Sequence, residues 1–406
     1  MTAHAAAERD AWRLGALYAA YFGIVGILAP YLPLYFEWRG LTAFQVGVLM
    51  ALAQAMRVVG PNLWGYLADH AHRRTPILRA TSFGFLLSFA LLLLPGPFAI
   101  VCAVMFLVSL FQTAQMPIAE ALASASMRGH ADAAARYGRL RAWGSMSFVV
   151  IVLGAGPVFD HWGLGMTIWM GLALATVLVF AAWRMPEGEA AEADHDRVSV
   201  RGRLREARVR WFLLSGALMV FAHAALYTYL SIYLSQLGYS NTVIGIFWVL
   251  SIVFEIAFFF TQGRWFARFG LNRLLIASFL VAAVRFLLIA ELASIWWVLA
   301  IAQVLHAMTF AVHHGASILT IQRWFPGRAA ARGQAAYISA AYGFGGSAGS
   351  LTAAYLWTLG GPAWAFGAGS VAALLGAGAV RRAQVFDFAA AGPHSLNVTS
   401  NRSLER

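Results

Sequence analysis

Residues 243–261 read VIGIFWVLSIVFEIAFFFT, an almost entirely apolar run that is long enough to cross a bilayer as a helix yet holds one carboxylate, Glu255. A charge near the bilayer centre costs at least about 2.5–3.5 kcal/mol on insertion scales. A chain keeps such a group when it faces a bundle interior, finds a partner, or does work that needs a proton or a charge. The run is not alone. Comparable stretches recur at roughly 12–36, 43–67, 76–95, 97–124, 138–159, 163–183, 211–236, 242–266, 273–291, 294–323, 333–358 and 362–380. With 61% hydrophobic and 11% charged residues, the chain reads as an all-α membrane protein of twelve transmembrane helices.

Composition changes once, between Arg184 and Arg210, where an acidic stretch is followed by a basic one able to form an amphipathic surface helix. The expected organisation is a six-helix bundle over 1–184, a cytoplasmic linker over 185–210, a second six-helix bundle over 211–382 and a disordered tail over 383–406. No cleavable signal peptide is evident, because the first ten residues are polar and the first apolar run is too long for one. The single cysteine, Cys102, excludes an intrachain disulfide.

Net charge is +12, and all 29 basic residues are arginine. In a soluble chain this would point to nucleic acid; here loop charge explains it. With the N-terminus cytoplasmic, arginines crowd every inner segment, seven of them from Arg184 to Arg210, while the outer loops hold only Arg39. That pattern obeys the positive-inside rule and places both termini inside, which requires an even number of spans. The arginine-only composition is read as coding bias, so the expected location is the inner membrane of a bacterium.

The halves repeat. At a constant offset of 198, Tyr31, Leu32, Tyr35, Gly40, Gly47 and Leu52 coincide with Tyr229, Leu230, Tyr233, Gly238, Gly245 and Leu250. The same offset pairs Gly65 with Gly263 and Arg57 with Glu255. Such a repeat is a transporter signature, in which the halves rock about a site near the midplane.

Depth can be counted from helical rise. Glu255, Arg285, His306 and Arg57 all lie roughly 16–21 Å from the nearer end of their spans, close to the bilayer middle. Glu255, Arg285 and His306 fall on consecutive spans 8, 9 and 10, so they are expected to neutralise one another and to form a proton-coupling set; the bland alternative is a salt bridge that pins helices. Glu120 on span 4 and Arg141 on span 5 form a second candidate pair for substrate, or an interfacial ion pair. Tyr31, Gln115, His223, Tyr227 and Gln303 are candidate hydrogen-bonding groups for a ligand, together with Arg57, each set against a helix-packing role. Adjacent His313 and His314 point about 100° apart, so one of them at most faces a common cavity. No metal-ligand spacing is present, and no cofactor is expected. Gly345-Gly346-Ser347-Ala348-Gly349 matches a serine-hydrolase elbow in letters only, since it lies inside a small-residue apolar span. The stretch GYLADHAHRR, with Gly65, Asp69, Arg73 and Arg74, is a candidate cytoplasmic gate. Its counterpart in the second half has Ala267 where Asp69 would fall.

That stretch resembles the loop signature G-x-x-x-D-R-x-G-R-R of the major facilitator superfamily, departing at His70 and His72. YGRLRAWGSMSF, the WVLSIVFE run and QVLHAMTFAVHHGA resemble the phenylpropionate-permease-type branch, related to the lactose permease and to nucleoside/proton symporters. The resemblance covers nearly the whole chain. It implies the major facilitator fold and proton-coupled symport. It also implies that Glu120 and Arg141 hold substrate, as a Glu on span 4 and an Arg on span 5 do in lactose permease, and that Glu255, Arg285 and His306 serve coupling. That permease has a second carboxylate one turn after its span 10 histidine; this chain has Thr309 there.

The expectation is a monomeric secondary transporter that moves a small organic solute with a proton by alternating access. An aromatic carboxylate such as phenylpropionate is favoured by the arginines, with a sugar or nucleoside as other solutes. The competing readings are a proton-antiport exporter and a receptor or scaffold on the same fold. Its partners are solute, proton and bilayer, with no nucleic acid. An enzyme would need a nucleophile and base, or a metal set, that the spans lack.

Overall fold

A computed structural model describes residues 3–71, 73–127, 133–186 and 200–391. Every element among them is helical. The first half comprises α1 (Ala3–Trp38), α2 (Ala43–Ala71), α3 (Thr75–Leu93), α4 (Phe98–Ser126), α5 (Ala133–Trp162) and α6 (Met166–Arg184). The second comprises α7 (Ala207–Gln236), α8 (Asn241–Phe269), α9 (Leu271–Leu292) and α10 (Trp296–Trp324), then a helical run over 330–391. That last run breaks where Gly360 and Gly361 leave helical geometry, Gly361 with φ of 64°, and Pro362 restarts it. The break separates α11 (330–359) from α12 (362–391), so the described residues hold twelve spans.

Several helices outrun the apolar stretches that mark them, because backbone hydrogen bonds do not stop at the bilayer edge. The tail expected from 383 onward is helical as far as Ala391, and residues 392–406 lie outside the described residues. Asp387 explains the extension. It accepts hydrogen bonds from Arg208 (2.8 Å) and the Trp324 indole (3.1 Å), tying α12 to the starts and ends of α7 and α10. The amphipathic helix expected in the linker is reduced to one turn, Arg201–Leu204, anchored by Arg203 on the Trp324 carbonyl; residues 187–199 lie outside the described residues.

The repeat is visible in the backbone. Gly40 and Gly238, mates at the offset of 198, both end their helices with positive φ, 85° and 88°. Only glycine takes that conformation without steric cost. Between the halves, α2 packs on α11 and α5 on α8, which are equivalent contacts under the repeat, while α1 meets α7.

At the arginine-poor end the halves are bonded together. Tyr229 donates to the Ala43 carbonyl (2.7 Å) and Tyr31 to the carbonyls of Val152 (3.0 Å) and Asn241 (3.3 Å). Asp160, at the end of α5, accepts from the backbone nitrogens of Asn241 (2.8 Å) and Thr242 (3.0 Å) and from both their side chains. It thereby caps the N-terminus of α8 from the opposite half, where a negative charge meets the positive end of the helix dipole. Gln236 donates to Glu37 across the same seam (3.0 Å).

Candidate functional site

Arg285, on α9, is wholly buried. Its Nε donates to the Ala302 carbonyl (2.7 Å), one terminal nitrogen to the Thr309 hydroxyl (3.2 Å) and the other to the Gln303 side-chain oxygen (3.4 Å). His223, on α7, completes the set. Its Nδ1 donates to the Met219 carbonyl (2.9 Å), so its Nε2 is left as an acceptor facing Thr309 (3.2 Å) and Arg285 (3.5 Å). The expected ion pair between Arg285 and Glu255 does not form: among the described residues Arg285 has only neutral partners. Depth placed the two at one level, but they turn to different sides, and Thr309 stands where a carboxylate would have reached the guanidinium. Gln303 and His223, expected to meet substrate, are buried in this scaffold and hold Arg285.

Glu255 pairs instead with His306, whose Nε2 lies 3.8 Å from its carboxylate. Across the cavity, Arg141 of α5 is within electrostatic reach of Glu255. Arg141 lies 3.6 Å from Glu120, whose carboxylate also accepts from the Tyr137 hydroxyl (3.1 Å). Arg57 stacks over the ring of Tyr342 of α11 at 5.5 Å and has no carboxylate within ion-pair distance among the described residues. Tyr227 sits in the field of Tyr342, Glu255, Arg285 and Arg57, and Tyr21 of α1 in that of Arg57, Arg141 and Glu120. These groups lie within electrostatic reach of one another in the space between the halves. Side-chain exposure grades from 5% at His306 and 15% at Glu255 to 40% at Glu120 and 48% at Arg141. The space therefore opens toward the basic ends of the helices and closes toward the bonded end.

Other expected site residues fall elsewhere. Tyr31 is a seam residue, since its hydroxyl is committed to two backbone carbonyls at the closed end. Gln115 is buried, and neither polar atom of its amide has a protein partner among the described residues. Of the gate residues, Gly65 is exposed with open space around it, Arg74 caps α3 without a side-chain bond, Arg73 is exposed, and the side chain of Asp69 lies outside the described residues. Of the adjacent histidines, His313 is buried against Ser278 (3.3 Å), Ser317 (3.4 Å) and Tyr337 (3.4 Å), and His314 lies within electrostatic reach of Arg141. Tyr21, Tyr137 and Tyr342 were missed. Their only sequence signal is a polar tip on a large ring at mid-span.

A family model described as MFS_1 like matches residues 11–368. The chain belongs to the MFS_1-like family. It is thus a major facilitator transporter of small solutes, a multi-pass membrane protein and not an enzyme. It is 28% identical over 298 residues to the maltose permease of Geobacillus stearothermophilus, covering 72% of this chain and 74% of that one. It is likewise 28% identical over 306 residues to a probable 3-phenylpropionic acid transporter of Escherichia coli strain K12, covering 74% and 79%. Its fold matches a crystal structure of the nucleoside transporter NupG with a TM-score of 0.76 at 16% identity, covering 93% of this chain and 98% of that one.

Proposed function

We propose that this transporter carries an aromatic carboxylate inward together with a proton, with its basic ends in the cytoplasm. The observation that carries the reading is the pairing of charges in the cavity. Two guanidiniums from one half, Arg57 and Arg141, share a space with Glu255 of the other half, and Arg57 lacks a carboxylate partner among the described residues. A substrate carboxylate would supply that partner, and Tyr21, Tyr227 and Tyr342 bring aromatic surface beside it. The similarity to a probable 3-phenylpropionic acid transporter supports the same class of solute.

Glu255 is the proton carrier in this reading. It is mostly enclosed, its neighbour His306 accepts or donates as its charge changes, and Arg285 is already committed to neutral groups. Proton and substrate are linked because Arg141 faces both Glu255 and the solute. When substrate carboxylate occupies Arg141, Glu255 loses a counter-charge and keeps its proton; release of one favours release of the other. The closed seam at the arginine-poor end and the opening at the basic ends fit an inward-facing state of an alternating-access cycle.

The test is solute-driven proton movement in proteoliposomes. Aromatic acids are expected to cause internal acidification coupled to their uptake, with sugars and nucleosides giving none. Glu255→Gln is expected to abolish accumulation against a gradient while leaving counterflow exchange. Uncoupled uptake by the unaltered protein would sink symport, and full accumulation by the variant would remove Glu255 as carrier.

A further inference from the structure

On α10, His306, Phe310 and His314 form a ladder. Their rings are nearly parallel: His306 and Phe310 lie 5.3 Å apart at 9°, and Phe310 and His314 lie 6.0 Å apart at 6°. Residues four apart are neighbours on one face of a helix. Four residues turn an α-helix by about 400°, so side chains at this spacing fan out by about 40° at each step. The segment Ala307–Val312 is π-helical, a wider turn that rotates less per residue.

The ladder runs beside the charged groups that lie between the halves. Neighbouring Ala307 and Ala311 pack against apolar side chains of α8 and α9, and Thr309 and His313 face the buried groups of α7, α9 and α11. The strip left between them carries the three rings. Its upper rung, His306, adjoins Glu255, and Arg141 of the opposite half is within electrostatic reach of both Glu255 and His314. In both histidines Nδ1 is enclosed with no protein partner among the described residues.

We propose that the His306–Phe310–His314 ladder is the wall on which the substrate's aromatic ring rests, with Phe310 as its specificity-determining rung. The inference rests on the aromatic-carboxylate reading above. Stacked rungs present ring edges to the cavity, and the partly positive edge of an arene attracts the partly negative face of another. A ring lying across the rungs offers its face to Phe310 while its carboxylate reaches Arg141 on the opposite wall. A saturated ring of the same size and charge offers no such face, so the ladder discriminates arene from alicycle where simple apolar burial would not.

The experiment compares competition by 3-phenylpropionate and by 3-cyclohexylpropionate for uptake in proteoliposomes. The unaltered protein is expected to favour the aryl acid by about 3- to 10-fold. Phe310→Leu brings that ratio toward one, and Phe310→Tyr, which keeps the ring, retains it. His314→Leu, which removes a different rung, lowers the ratio as well and covers the case in which Phe310→Leu does not fold; folding of each is followed by thermal unfolding in detergent. If the unaltered protein prefers the aryl acid and the folded leucine variants keep that preference, the ladder proposal falls and the substrate class stands. If the unaltered protein takes up no aryl acid, both fall together.

Discussion

Thr309 decides what Arg285 can do. The threonine hydroxyl accepts from the guanidinium, contacts the His223 imidazole and donates to the His306 carbonyl (3.3 Å), so three spans meet at one oxygen. Replacing it by an isosteric valine leaves a buried guanidinium N–H short of a partner. Thr309→Val is expected to cost about 1–3 kcal/mol of stability, read as a lower unfolding temperature in detergent, and Thr309→Ser to restore most of it. No loss in the valine variant would mean that water replaces the hydroxyl. Counting depth along the sequence selected Glu255, Arg285 and His306 as mid-span polar groups. It could not select their partners, because depth fixes the level of a side chain and not the direction it faces. Glu255 therefore found His306, and Arg285 found only neutral groups.

Among the elements, those bounded by glycine and proline were legible and those shaped by tertiary contact were not. Gly360-Gly361-Pro362 ends one span and starts another, and Pro95-Gly96-Pro97 separates α3 from α4, as their limited backbone choices require. The π-helical turns at Ala307–Val312 and Ser339–Gly345 carry no such punctuation, since the apolar pattern is counted on an α-helical period. They nevertheless place the ladder on α10 and Tyr342 on α11. The end of α12 was also hidden, because hydropathy fades before the helix does. Asp387 holds it in place at 14% exposure, with Arg208 and Trp324 bonded and Arg323 at 3.7 Å. Asp387→Ala should lower the unfolding temperature by an amount equivalent to about 1–3 kcal/mol, since it breaks hydrogen bonds to charged and indole donors at once. Asp387→Glu should recover part of it. Equal unfolding temperatures for the alanine variant and the unaltered protein would show that this junction adds nothing to the bundle.

For the molecule as a whole, the offset of 198 found in the sequence becomes a mechanical symmetry. Tyr229 of the second half stands against Gly47 of the first, and Tyr31 of the first against Gly245 of the second; each tyrosine hydroxyl occupies the space a methyl group would need on the facing glycine. Alignment paired Tyr31 with Tyr229 and Gly47 with Gly245, yet it could not show that each tyrosine crosses to the other's glycine. Tyr31, a candidate for substrate by its depth, belongs to the seam. A bulky side chain at either glycine must hold the arginine-poor ends apart. Gly47→Leu would collide with both Tyr229 and Ala354, and neither can retreat without separating α2 from α7 and α11. Substrate binding at the cavity does not require that closure, but return of the empty or loaded site to the other side does. In a Cys102→Ala background carrying Glu37→Cys as a reporter at the seam, Gly47→Leu should raise the alkylation rate at position 37 several-fold. It should also reduce accumulation to a small fraction, while equilibrium binding of the substrate survives. Gly245→Leu should do the same by the equivalent contact. An unchanged alkylation rate in both variants, with transport intact, would mean that the bonded seam is not one of the two working states.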